Sequence, residues 1–227
     1  MKLLLILAAA LLALPPISRA DLVIVQSVEG AGQASRMTVK IKGDKTRADI
    51  SPQLSSLTDG ATGDSVMLMH EQKGYMKMPA ERTKALMEKM KGFQLQSGKD
   101  GVKKEEAATG PKATGKKQRI GAYDTEEYVC QVGNTNIHYW VAKNFPDWQK
   151  IQEQMLKNQE KSLSQMLKGK IVSLKDLPGM PIKSEMEFNG QKIAYTIVSV
   201  KEEDVSAKDF EIPAGYKEMT IPSFGGE

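Results

Sequence analysis

The chain has a single cysteine, Cys130, so no internal disulfide can form and stability must come from a packed core. It has two histidines, His70 and His138, on separate predicted strands. No Gly-x-Ser-x-Gly elbow, His-Glu-x-x-His pair or phosphate-binding Gly-x-x-x-x-Gly-Lys-Ser/Thr loop occurs, so triad hydrolases, zinc proteases and nucleotide hydrolases have no starting motif. Cys130 sits in an alternating apolar strand without a basic neighbour to lower its pKa, which reads as an inert buried thiol. Charge of one sign is scarce too. A net charge of +4 over 227 residues is too small for a nucleic-acid or anionic-membrane surface. The acidic clusters Glu126-Glu127 and Glu202-Glu203-Asp204 lack the alternating ligand pattern of a calcium loop and read as solvated surface.

Long apolar runs are nearly absent. The exception is Leu3 to Leu14, preceded by Lys2 and broken by Pro15-Pro16, with small Ser18 and Ala20 beyond. This is the layout of a secretory signal peptide over residues 1–20, with cleavage after Ala20. The run is shorter than the ~20 residues a membrane-spanning helix needs. Asp21 follows, not the cysteine of a lipid-anchored protein. Without Lys2 and Arg19 the net charge falls from +4 to +2. Residues 21–227 suit one exported, periplasmic or secreted, domain.

What is present is strand alternation. Met37, Val39 and Ile41 alternate with Thr38, Lys40 and Lys42, and Gly43-Asp44 is a two-residue turn signal. That turn opposes Ile41 to Thr46, Val39 to Ala48 and Met37 to Ile50, with Lys40, Lys42, Lys45, Arg47 and Asp49 on a wet opposite face. Asn189-Gly190 is a second turn signal, opposing Met186 to Ile193, Ser184 to Tyr195 and Ile182 to Ile197. "QLSSLTD" reads as a weak strand. Pro79 opens a short amphipathic helix with Leu86, Met87 and Met90 on its stripe. Pro146 opens a longer one, with Trp148, Ile151, Met155, Leu163, Met166 and Leu167 on its stripe and Gly169 ending it. Gly-, Lys- and Ala-rich residues 96–118 read as a flexible low-complexity loop. The tail "FEIPAGYKEMTIPSFGGE" shows no period. The pattern predicts an α+β, mainly β domain: roughly ten or eleven sequential antiparallel strands and two helices.

The stretches "ADLVIVQSVEGAGQ", "MTVKIKGDKTRADI", "MLMHEQKGYMKM", "GAYDTEEYV", "YWVAKNFPDW" and "FEIPAGYKEM" resemble a family of exported bacterial proteins of unknown function. That family brings no activity with it. More distantly, the order of elements resembles the periplasmic lipoprotein-carrier superfamily. This resemblance implies an open, curved antiparallel half-barrel with two helices on its concave face and an apolar cavity for acyl chains. Neither Arg36 nor Arg47 can be matched to the carrier's lid-closing arginine.

The chain holds 13 methionines against five phenylalanines, which suggests an adaptable interior. "SVMLMHEQKGYMKM" is the densest stretch. A turn at Gln72-Lys73 pairs Met69 with Met76 and Met67 with Met78, and a turn at Lys73-Gly74 pairs Met69 with Met78. Either way Met67, Met69, Met76 and Met78 share one face, and Leu68, His70, Tyr75 and Lys77 the other. Four thioethers would suit copper(I), but His70 points away from them, so no metal is expected. Met87, Met90, Met155 and Met166 lie on the inward helix stripes. These eight methionines are the candidate lining of a cavity for a lipid or other apolar ligand in a non-enzymatic protein without a cofactor. The alternatives are a structural or protein-interaction module with a fully packed core, and a soft-metal binder.

Overall fold

The computed structural model describes residues 21–30, 33–85, 109–132, 135–159, 174–188 and 190–220. The strands are β1 (Leu22–Gly30), β2 (Gln33–Lys42), β3 (Lys45–Ser51), β4 (Leu54–Asp59), β5 (Ser65–Met69) and β6 (Gly74–Met78). A helix, α1, follows Pro79 and is described over residues 80–85. Then come β7 (Thr109–Ile120), β8 (Tyr123–Val132), β9 (Thr135–Ala142), α2 (Trp148–Gln159), β10 (Met180–Phe188), β11 (Gln191–Glu202) and β12 (Lys217–Glu218). Short 3-10 turns lie at Leu174–Asp176 and Ala207–Phe210.

All twelve strands form one open sheet in the order β12-β6-β5-β4-β3-β2-β1-β11-β10-β9-β8-β7. It consists of two meanders, β1 to β6 and β7 to β11, joined where β11 lies antiparallel against β1. The sheet is mainly antiparallel but mixed, because β12 returns to pair parallel with β6. The aperiodic tail thus adds a strand that its sequence does not announce: a two-residue strand carries no alternation to read.

Two hairpins form as their turns dictate. Gly43 (φ +58°) and Gly190 (φ +74°) adopt the left-handed backbone that a two-residue turn requires. Val39 opposes Ala48 and Ile41 opposes Thr46. Met186 opposes Ile193 and Ser184 opposes Tyr195. The face carrying Lys40, Lys42, Arg47 and Asp49 is not simply wet. Lys42 pairs with the buried Asp21 (2.6 Å) and with Asp204 (3.1 Å), and Lys40 pairs with Asp209 (3.1 Å). The Val205 N–H also donates to Asp21. The C-terminal segment therefore lies as a strap against this second face.

The expected loop at 96–118 requires correction. Residues 109–118 form most of β7, while 96–108 lie outside the described residues. β7 is the outermost strand, and its composition is that of a protected edge. Pro111 removes a donor, the lysines discourage another strand from docking, and the pairing with β8 is broken at two places. Edge protection and low complexity look alike in sequence.

The main core lies on the first face. Leu22, Ile24 and Ile41 from β1 and β2 meet Ala142, Met180 and Ile182 from β9 and β10, with Phe145 and Ile151 above them. Trp148, Ile151 and Met155 of α2 supply the helical stripe. Leu163, Met166 and Leu167 lie outside the described residues. Burying each large aliphatic side chain here contributes about 1.5–3 kcal/mol.

Candidate functional site

A pocket of about 260 Å³ lies between the first face of the sheet and α2. Its floor comes from four adjacent strands: Gln26 of β1, Tyr195 and Ile197 of β11, Met180, Pro181, Ile182 and Ser184 of β10, and Tyr139 of β9. Strand alternation brings Tyr195, Ser184 and Tyr139 to one side, since Tyr195 opposes Ser184 and Ser184 opposes Tyr139, while the pairing of β10 with β9 is irregular between Pro181 and Lys183, where the alternation breaks. Gln152 and Met155, neighbours on one helix face, form the roof with Leu174 of the first 3-10 turn. The Gln152 amide donates to the Leu174 carbonyl at 2.7 Å, which ties that turn to the helix. Among the described residues, none that lines the pocket carries a formal charge. Burial, helped by the nearby Cys130 thiol, pushes the Tyr139 phenol up to about 12, so it stays protonated.

Of the eight candidate methionines, Met155 lines this pocket. Met67, Met69, Met76 and Met78 are half-buried on β5 and β6. They share the same face of the sheet, but β2, β3 and β4 separate β5 from β1, so the pocket does not include them. Met87, Met90 and Met166 lie outside the described residues. Met180, 1% exposed and part of the pocket floor, belongs to the site but not to the candidate set. So do Tyr139, Ser184 and Tyr195. Ser184 and Tyr195 were legible as a predicted pair, and nothing in the sequence marked that pair as a cavity wall.

The methionine hairpin has neither expected register. Met67 opposes Met76 and Met69 opposes Gly74, around a loop of His70, Glu71, Gln72 and Lys73. Lys73 takes the positive φ (+47°), a place that sequence preference would give to Gly74. Gly74 is instead a strand residue, and the Met219 side chain fills the space that a Cβ there would need. The parity survives: all four methionines share one face and Leu68 faces the other.

On that other face His70 is fully engaged. Its Nε2 lies 2.7 Å from Ser55 Oγ and its Nδ1 lies 2.7 Å from the Tyr216 hydroxyl. Ser55 donates to Asp49 (2.6 Å), which also accepts from Arg47 Nε (2.7 Å). Arg47 in turn donates to the Asp209 carbonyl. The residue types resemble a triad, but the order is wrong for one. The Ser55 proton goes to Asp49 rather than to His70, and Ser55 is 1% exposed. The network is a clasp for the C-terminal strap. Burial raises the Asp49 carboxyl most, yet the bonds from Ser55 and Arg47 outweigh it and hold the group below its ordinary range.

Glu127, expected at the surface, is 3% exposed. It bonds Thr114 (2.7 Å) and His138 Nδ1 (2.8 Å), with Lys116 at 3.4 Å. Burial pushes its carboxyl up, but these three partners together hold it below the ordinary range. Strand alternation explains the correction: Glu126 opposes Val141 while Glu127 opposes Trp140, so the two acids leave on opposite sides. The Cys130 thiol is buried and pushed up to about 11, first by burial and then by Asp176. Among the described residues no three His, Cys, Asp or Glu side chains gather to hold a metal ion. Among them, too, no helix is long and apolar enough to cross a membrane.

Comparison with known proteins adds a family. The family described as "Domain of unknown function (DUF4412)" matches residues 22–216. No curated protein matches the chain. Among solved structures, PNGF-II is similar at 14% identity and a TM-score of 0.39, over 88% of this chain and 31% of that one. This chain therefore spans under a third of the length of PNGF-II. The Mycobacterium tuberculosis lipoprotein LppX is similar at 10% identity and a TM-score of 0.37, over 83% of this chain and 90% of that one. A LolA superfamily protein from Nitrosomonas europaea is similar at 11% identity and a TM-score of 0.32, over 86% and 91%.

Proposed function

The chain belongs to the family of the domain of unknown function DUF4412, and we propose that it binds a lipid or another apolar ligand between sheet and α2 without catalysing a reaction. The observation that carries this reading is the pocket of about 260 Å³ roofed by Met155 and floored by Met180 and Ile182, with no charged side chain among its described lining residues. Ligand sites are typically mostly apolar concavities of about 300–1,000 Å³ with a few oriented polar groups, and this pocket sits just below that size. Methionine suits such a lining because its unbranched, polarisable side chain adapts to the shape of a guest. The half-buried Met67, Met69, Met76 and Met78 form a separate apolar patch on the same face, with β2, β3 and β4 between it and the pocket. Residues 1–20, read as a signal peptide, would carry the protein to the periplasm, where apolar molecules need a carrier or receptor.

The test is native mass spectrometry of residues 21–227 purified gently from the periplasm. A lipid-mass adduct that Met155→Trp abolishes is the expected result. A clean apo mass, together with no uptake of an added apolar dye, overturns the reading.

A further inference from the structure

We infer that the pocket selects an uncharged molecule with a hydrogen-bonding oxygen beside its apolar chain, such as an ester or an alcohol, and rejects the same chain ending in a charged group. This deepens the binding reading above and rests on it.

The first observation is the lining, which among the described residues contains no Asp, Glu, Lys or Arg. The charged residues of β10 do not reach it: Lys183 and Glu185 pair with each other at 2.7 Å. A buried carboxylate or ammonium needs a counter-charge, and none is offered here.

The second observation is the arrangement of the neutral polar groups. Tyr195 opposes Ser184, and Ser184 opposes Tyr139, so a phenol, a hydroxyl and a phenol form one row across β11, β10 and β9. Adjacent strands lie about 4.8 Å apart, so the row spans about 10 Å. Gln26 joins from β1. The side-chain polar atoms of these four residues have no hydrogen-bond partner among the described residues. All four residues are half-buried, so in the free protein these groups face water, which a ligand oxygen could replace. A phenol or hydroxyl can donate to a carbonyl or exchange bonds with an alcohol, which gives orientation without requiring charge. The high phenol pKa of Tyr139 keeps that donor available across the neutral range.

The experiment is a displacement titration of the delipidated protein at neutral pH with four probes of one chain length: methyl laurate, lauryl alcohol, laurate and laurylamine. The ester or alcohol is expected to bind at least about tenfold tighter than laurate or laurylamine. Laurate should enter only as the protonated acid, so its affinity should fall roughly tenfold per pH unit above about pH 5, while that of methyl laurate stays flat. Tyr139→Phe combined with Tyr195→Phe should remove most of the advantage of the ester, and Ser184→Ala should do so in part. Laurate binding as tightly as the ester at neutral pH overturns the inference and leaves the general binding reading standing. So does an ester preference untouched by all three substitutions. Failure of every probe to bind overturns both readings. Because these side chains lack partners, their variants should fold with an unchanged urea midpoint.

Discussion

Leu68 and Met67 are sequence neighbours with opposite fates, and truncating each to alanine tests which face of the hairpin is packed. Leu68 is 0% exposed, facing the side to which the C-terminal strap is clasped. Met67 is half-buried on the first face. Leu68→Ala loses the full transfer free energy of its side chain and leaves a cavity, which together cost about 2–5 kcal/mol. Met67→Ala loses only about half of a ~2 kcal/mol burial and opens little new cavity, so about 1 kcal/mol is expected. Urea unfolding reads the difference. With an m-value near 2 kcal/mol/M, Leu68→Ala should lower the midpoint by about 1–2.5 M and Met67→Ala by about 0.5 M. The m-value should stay constant in both. A Met67→Ala loss equal to or larger than that of Leu68→Ala would refute the reasoning. It would mean that the methionine face is closed core rather than partly open surface.

Two further outcomes follow from single residues. A Cβ at Gly179 would strike the Ala142 carbonyl oxygen and approach the Lys143 α-carbon at 2.8 Å, so Gly179→Ala should cost about 1–3 kcal/mol and lower Tm by several degrees. An unchanged Tm in calorimetry would contradict that close approach. Because the Asp49 carboxyl is held below its ordinary range, its contribution is present in full above about pH 4 and is lost as pH falls through its folded value. Asp49→Asn should therefore be less stable than the wild type at pH 7, with the gap closing toward pH 3. A gap that widens in acid would show that the Ser55–Arg47 arrangement does not favour the ionised form.

Much of the architecture was legible from local signals. Gly43-Asp44 and Asn189-Gly190 fixed two hairpins in register, because a two-residue turn leaves no freedom to slip. Trp148, Ile151 and Met155 marked the inward stripe of α2. The methionine hairpin slipped because its loop holds four residues, with Lys73 in a conformation usually given to glycine. Alternation still separated the methionines from His70, since parity outlasts an even shift of register. The clasp was not legible at all. Asp49, Ser55, His70 and Tyr216 are brought together by two strands, the loop after β5 and a returning tail, and no spacing encodes that meeting. The site was half legible. Met155 emerged from helical periodicity, whereas Tyr139, Ser184 and Tyr195 became a wall only once β9, β10 and β11 were adjacent.

A guest in the space between α2 and the sheet would touch Met155 and Met180. The most direct measurement is a methyl spectrum of the protein labelled with 13C at its methionine methyl groups, titrated with methyl laurate. The Met155 and Met180 signals should shift saturably and together, while that of Met219, 40% exposed just beyond β12, stays still. Saturable shifts confined to Met219, or no shift at Met155 and Met180 at any concentration, would contradict binding there.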